Sequence, residues 1–80
     1  MNIEIISPDA SIYSGEIHLI QLPGELGSFE IMDKHAPIIA TLQKGKLKVI
    51  TKAGEELFFD IEGGIVEAVN NKISVLTAKI

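Results

Sequence analysis

The sequence predicts an all-β protein, an antiparallel sandwich or barrel of short strands, and three observations carry that expectation. Apolar and polar residues alternate over short runs, the pattern of strands with one buried face. The runs recur every ~8–12 residues, with Gly, Pro, Asn and Asp between them. No segment reads as a long helix, so no connection supplies the crossover that parallel neighbours need. Of the two architectures, a pair of packed sheets suits a chain of 80 residues, because each strand then buries one face.

Taken in order, the first strand is expected over residues 2–7, with Ile3 and Ile5 on one face. Pro8-Asp9 breaks the ladder, since proline fixes φ and aspartate favours a local turn. Ile12-Tyr13 is a short second strand, ended by Ser14-Gly15. Residues 16–22 carry apolar side chains on both faces, which marks a central strand, and Pro23-Gly24 ends it. Alternation resumes after Gly27 with Phe29 and Ile31. Pro37 forces Ala36 out of helical geometry and leads into an apolar stretch over residues 38–42. Lys44-Gly45 reads as a turn into residues 46–51, where Leu47 and Val49 alternate with lysines. Ala53-Gly54 turns the chain into residues 56–60. After Gly63-Gly64 come residues 65–69 and 72–77, joined by Asn70-Asn71, two residues that accept positive φ and signal a tight hairpin.

Composition excludes several classes. The length allows one domain over residues 1–80, burying roughly 60% of the surface its unfolded chain exposes. Apolar residues make up 46%, enough for one core and too many for a disordered segment. Without cysteine, neither disulfides nor a thiolate metal site staples the fold, and such a small domain leans on partners. The net charge is −4 and arginine is absent, which argues against nucleic acid and removes the best clamp for a transferring phosphoryl group. Lys46 and Lys48 share a strand face and read as a solvated edge. The amino terminus lacks the basic and apolar regions of a signal peptide, and no apolar run approaches the ~20 residues of a bilayer crossing. A soluble protein is expected, with any membrane link made through another protein and no direct insertion.

No catalytic constellation emerges. Asp33 and His35 form a D-x-H pair without a third or fourth ligand at suitable spacing, and a loop histidine bonded to backbone beside Pro37 is the better reading. His18 sits mid-strand as a polar position on a sheet face. Pro23-Gly24-Glu25-Leu26-Gly27 superficially resembles a phosphate loop, yet no Lys-Ser or Lys-Thr follows and no helix opens after it. No catalytic, cofactor or metal residue is therefore expected. What remains is interaction, through edges and loops. Leu26 has no obvious core partner, so it either contacts another protein or folds over the end of the sandwich.

Two segments resemble one family. The first runs Pro23-Gly24-Glu25-Leu26-Gly27-Ser28-Phe29-Glu30-Ile31-Met32-Asp33-Lys34-His35-Ala36-Pro37-Ile38. The second joins Ser14-Gly15 to the stretch from Gly63-Gly64-Ile65-Val66-Glu67 to Ser74-Val75-Leu76-Thr77-Ala78. Both are similar to the amino-terminal sandwich of the epsilon subunit of F-type ATP synthases, called delta in mitochondria. The resemblance implies a β-sandwich of about ten short strands in two packed layers, in a non-catalytic subunit of the central stalk. Its implied partners are the gamma subunit and the polar loops of the c-ring. The three turn as a rotor that couples proton or sodium flow to ATP synthesis at the cytoplasmic face of a bacterial membrane. The rival readings are an unrelated adaptor sandwich and a stand-alone small-ligand-binding or enzymatic β-domain that uses Asp33 and His35.

Carried over by position, the ring-facing segment falls on Glu25, Leu26, Gly27, Ser28, Phe29, Glu30 and Ile31, with His35 in the next loop. The gamma-facing residues stay unassigned. Ser28 stands where the family often has an acid, Glu30 where it commonly has Gly, and Asp33 where it has Pro or a similar residue. A carboxylate contact to the ring is then expected from Glu25 or Glu30. Many members continue into a helical hairpin that binds ATP or inhibits hydrolysis. Read as a natural end, Ala78-Lys79-Ile80 implies rotor coupling without that inhibition and without ATP binding.

Overall fold

A computed structural model describes residues 1–78; the expectations that hang on the end at Lys79-Ile80 lie outside the described residues. The described chain is all-β, with six strands: β1 (Asn2–Ile6), β2 (Ser11–Gly24), β3 (Gly27–Met32), β4 (Ile38–Thr51), β5 (Glu56–Val69) and β6 (Lys72–Thr77). The fold class is the one that the alternation predicts. Three strands are longer than expected: β2, β4 and β5 each run 14 residues and absorb two of the short runs apiece.

The reason lies in what the glycines do. Ser14-Gly15, Lys44-Gly45 and Gly63-Gly64 do not reverse the chain; they sit inside strands that pass from one layer to the other. The β4–β5 ladder keeps one register throughout, with only Gln43 and Gly63 skipped between Leu42↔Gly64 and Lys44↔Glu62. The β2–β4 ladder instead shifts register between Ile17 and Leu19 and between Gln21 and Gly24. In β2 the partner changes from β1, which ends at Glu16, to β4, which begins at Ile17. Strands that switch sheets at a bend or bulge make the corners of such a sandwich. Pro23-Gly24 likewise belongs to β2, with the reversal confined to Glu25-Leu26.

One layer contains the start of β4 (residues 38–42), the end of β5 (64–69), β6, β1 and the start of β2. The other contains the start of β5, the end of β4, the end of β2 and β3. The second half of β2 lies between β3 and β4, the central position that its two apolar faces predict. The strand order β1-β6-β5-β4-β2-β3, with β1 also pairing β2, closes the ladder on itself.

One expectation is corrected. Pairing is not antiparallel throughout, because β1 and β6 run parallel, Ile3 beside Ile73 and Ile5 beside Val75. No crossover helix is required, since these are the first and last strands of the sandwich and the strands between them are their connection. Ile3, Ile5, Ile20, Leu22, Leu47, Val49, Val66, Ile73 and Val75 are fully buried between the layers. Each such side chain contributes about 1.5–3 kcal/mol of transfer free energy. β-branched residues dominate because they pack well on a pleated surface.

Candidate docking surfaces

The β2–β3 hairpin projects from one end of the sandwich. Gly24 pairs with Gly27, so Glu25 and Leu26 alone make the turn, and Gly27 takes φ +129°. Gly24 tolerates no side chain: a Cβ there would lie 2.7 Å from both the Gly27 carbonyl oxygen and the Phe29 ring. The turn is tied to β4, with Glu25 N–H donating to the Thr41 carbonyl (3.3 Å) and Thr41 Oγ1 donating to Glu25 Oε1 (2.6 Å). Leu26 is fully solvent-exposed, so it does not fold over the sandwich end. Beside it runs an apolar groove of about 660 Å³, walled by Phe29, Ile38, Ile39, Ala40 and Ile65.

The carried-over residues divide by what they can touch. Glu25, Leu26, Gly27, Ser28 and Glu30 are exposed, and Phe29 is half-buried against the core. Ile31 is 1% exposed, so its side chain anchors β3 in the core and cannot itself meet a partner. His35 lies beyond the far end of β3, and six residues of strand separate it from Leu26 by roughly 20 Å.

At that far end a small polar cluster holds the loop. Asn71 Nδ2 donates to Asp33 Oδ1 (2.6 Å), and Lys34 N–H donates to Asn71 Oδ1 (2.7 Å). The Met1 ammonium also donates to Asp33 Oδ1 (3.3 Å). The bond from Asn71, then that from the ammonium, holds the Asp33 carboxyl below its ordinary pKa. Lys34, Asn70 and Asn71 have φ of 63°, 51° and 61°, and the two asparagines thereby take the left-handed values expected of their hairpin turn. His35 Nδ1 lies 2.7 Å from the Ala36 carbonyl oxygen, so this ring engages backbone beside Pro37. Among the described residues no three His, Asp or Glu side chains gather as a metal site.

Outer surfaces of the two layers differ. On the second layer, Lys44, Lys46 and Lys48 pair with Glu62, Asp60 and Glu56 at 3.9, 3.6 and 3.6 Å. This is a solvated face of an interior strand rather than the expected edge, because β4 has β5 on one side and β2 on the other. The first layer instead exposes Ile39, Ile65, Val69 and Leu76. Sequence reasoning passed over these four. Their one signal is adjacency, as in Ile65-Val66 and Val75-Leu76, where period-2 geometry sends one member of each pair outward.

Fold and surfaces together define a small β-sandwich domain that presents an exposed hairpin tip and an apolar sheet face. More particularly, the chain belongs to the family described as ATP synthase, Delta/Epsilon chain, beta-sandwich domain, which residues 1–80 match. The ATP synthase epsilon chain of Leptospira borgpetersenii serovar Hardjo-bovis (strain JB197) is 40% identical over 78 residues, 96% of this chain and 60% of the relative. That of Xanthomonas campestris pv. campestris (strain B100) is 44% identical over 73 residues, 91% of this chain and 52% of the relative. The chain thus spans little more than half the length of these curated relatives. A chain in the cryo-EM structure of the Euglena gracilis mitochondrial ATP synthase, OSCP/F1/c-ring in rotational state 1, has the same fold at TM-score 0.88 and 17% identity. That match covers 96% of this chain and 49% of the other.

Proposed function

We propose that this domain is a non-catalytic part of the central stalk of an F-type ATP synthase, binding gamma and seating on the c-ring. It works at the cytoplasmic face of a bacterial membrane, coupling ion flow to ATP synthesis by transmitting torque as a rigid body. The observation that carries the reading is the β2–β3 hairpin, where a fully exposed Leu26 is held on a two-residue turn hydrogen-bonded to β4. An apolar tip on a stiff mount suits a contact that must bear load, since close-packed interiors resist deformation. The ring contact is assigned to Glu25, Leu26, Gly27 and Ser28, with Phe29 and Ile31 as its support and Glu30 along the open edge of β3. His35 lies outside that contact if the tip alone meets the ring.

Capture of cognate gamma and detergent-solubilised c-ring by the purified protein tests the assignment. Leu26→Asp should sharply reduce ring capture while leaving gamma capture intact. Failure to capture either subunit, or ring binding indifferent to Leu26→Asp, rejects it.

A further inference from the structure

On the outer side of the first layer, cross-strand registry aligns side chains from four strands. Thr41, Ile65, Leu76 and Ile6 form one row, and Ile39, Glu67, Ser74 and Glu4 form the next. Ile65 and Leu76 are 43% and 51% exposed, and Ile6 beside them is half-exposed. Neighbouring strands lie ~4.8 Å apart, so the apolar row repeats at nearly the spacing of side chains one helical turn apart. The second row lies ~7 Å along the strands and carries two carboxylates, Glu67 and Glu4, on either side of Ser74. Neither is in an ion pair among the described residues, whereas lysines neutralise Glu56, Asp60 and Glu62 on the opposite layer. Lys72 lies one row further on, beside Val69.

We propose that this face docks an amphipathic helix of a partner protein that carries lysine or arginine alongside its apolar stripe. The apolar row takes the stripe, and Glu67 and Glu4 take the basic flank. A second copy of the chain fits poorly, because face-to-face stacking brings the unpaired carboxylates together and like charges repel. The inference deepens the stalk reading, on which it rests for the identity of the partner, by naming the surface and the chemistry that hold the domain.

The test uses two probes: a synthetic leucine–lysine peptide of amphipathic helical spacing, with its leucine–glutamate counterpart, and the cognate gamma subunit. The lysine peptide should shift the amide resonances of Ile6, Ile65, Glu67 and Leu76, and the glutamate peptide should not. The exposed double substitution Glu4→Lys/Glu67→Lys should weaken peptide and gamma by ~10-fold or more, with a flatter salt dependence. Lys46→Glu, on the other layer, should leave both affinities unchanged. Peptide shifts elsewhere, or affinities indifferent to the double substitution, overturn the inference; gamma capture that persists in the double variant does so while the stalk reading stands. If gamma is not captured but the lysine peptide occupies this face, the stalk reading falls and the inference survives. Concentration-dependent dimers shifting the same amides would assign the face to a second copy and overturn it.

Discussion

Gly64 shows how one hydrogen in place of a methyl group holds two strands together. A Cβ at Gly64 would run into the Leu76 carbonyl oxygen of β6, and that oxygen belongs to backbone that cannot swing aside. Gly64→Ala should therefore cost about 1–3 kcal/mol by forcing β5 and β6 apart, measurable as a lower urea midpoint. Gly54→Ala, at a turn where nothing lies within 4 Å, bears only the cost of its positive φ and should lose less. Asp33 makes a different residue-scale prediction. Its carboxyl is held below the ordinary value by Asn71 and the Met1 ammonium, so the folded state favours the ionised form. The loop contact is then fully present above the unfolded pKa and is lost as pH falls through the lowered folded one. Amide shifts of Lys34 and Asn71 followed into acid should report that loss, and Asp33→Asn should abolish the titration. A titration unchanged by the substitution would reject the assignment.

Among the elements, β4 carries both the most and the least consequential side chains of its length. Leu47 is fully buried, while Lys46 beside it is exposed and pairs with Asp60 at 3.6 Å. Leu47→Ala should cost about 2–5 kcal/mol, from lost transfer energy and the cavity left behind. Lys46→Ala should cost under ~1 kcal/mol, because an exposed pair gains little over water, and salt at about 1 M should erase even that. Urea titrations of the two variants decide it, and comparable losses would contradict this ranking. The same strand shows what sequence makes legible. Leu47 and Val49 announce their buried face by alternating with lysines, and Asn70-Asn71 announces its hairpin because both residues accept positive φ. Gly45 reads locally as a turn, yet it is a place where Pro23 of β2 crosses closely, 2.8 Å from where a Cβ would sit. That requirement comes from a strand distant in sequence, so no local pattern reveals it. The hairpin tip was legible as an apolar residue between glycines; the outer face of the first layer was not, because an outward Ile65 and an inward Val66 look alike until registry is known.

At the scale of the molecule, closure joins interactions of very different sequence separation. The β4–β5 pairing grows from a turn at residues 52–55 and runs from Ile50↔Glu56 to Ile38↔Ala68, with each contact shortening the loop for the next. The β1–β6 pairing, Ile3 beside Ile73, must instead bring together the first and last strands of the sandwich. Loop-closure entropy opposes long-range contacts until earlier structure has shortened the effective loop. The β4–β5 hairpin should therefore be largely formed in the folding transition state, and β1–β6 should join afterwards. Val49→Ala is then expected mainly to slow folding, with a φ-value of about 0.5 or more, and Ile73→Ala mainly to speed unfolding, with a φ-value of about 0.3 or less. Stopped-flow chevrons of the two variants measure both values. The reverse ranking would mean that β1 and β6 meet first and that the parallel pair, rather than the hairpin, organises the sandwich. The expected order also has a kinetic meaning: contacts absent from the transition state set the unfolding rate, so the β1–β6 seam is where the sandwich gains its resistance to unfolding.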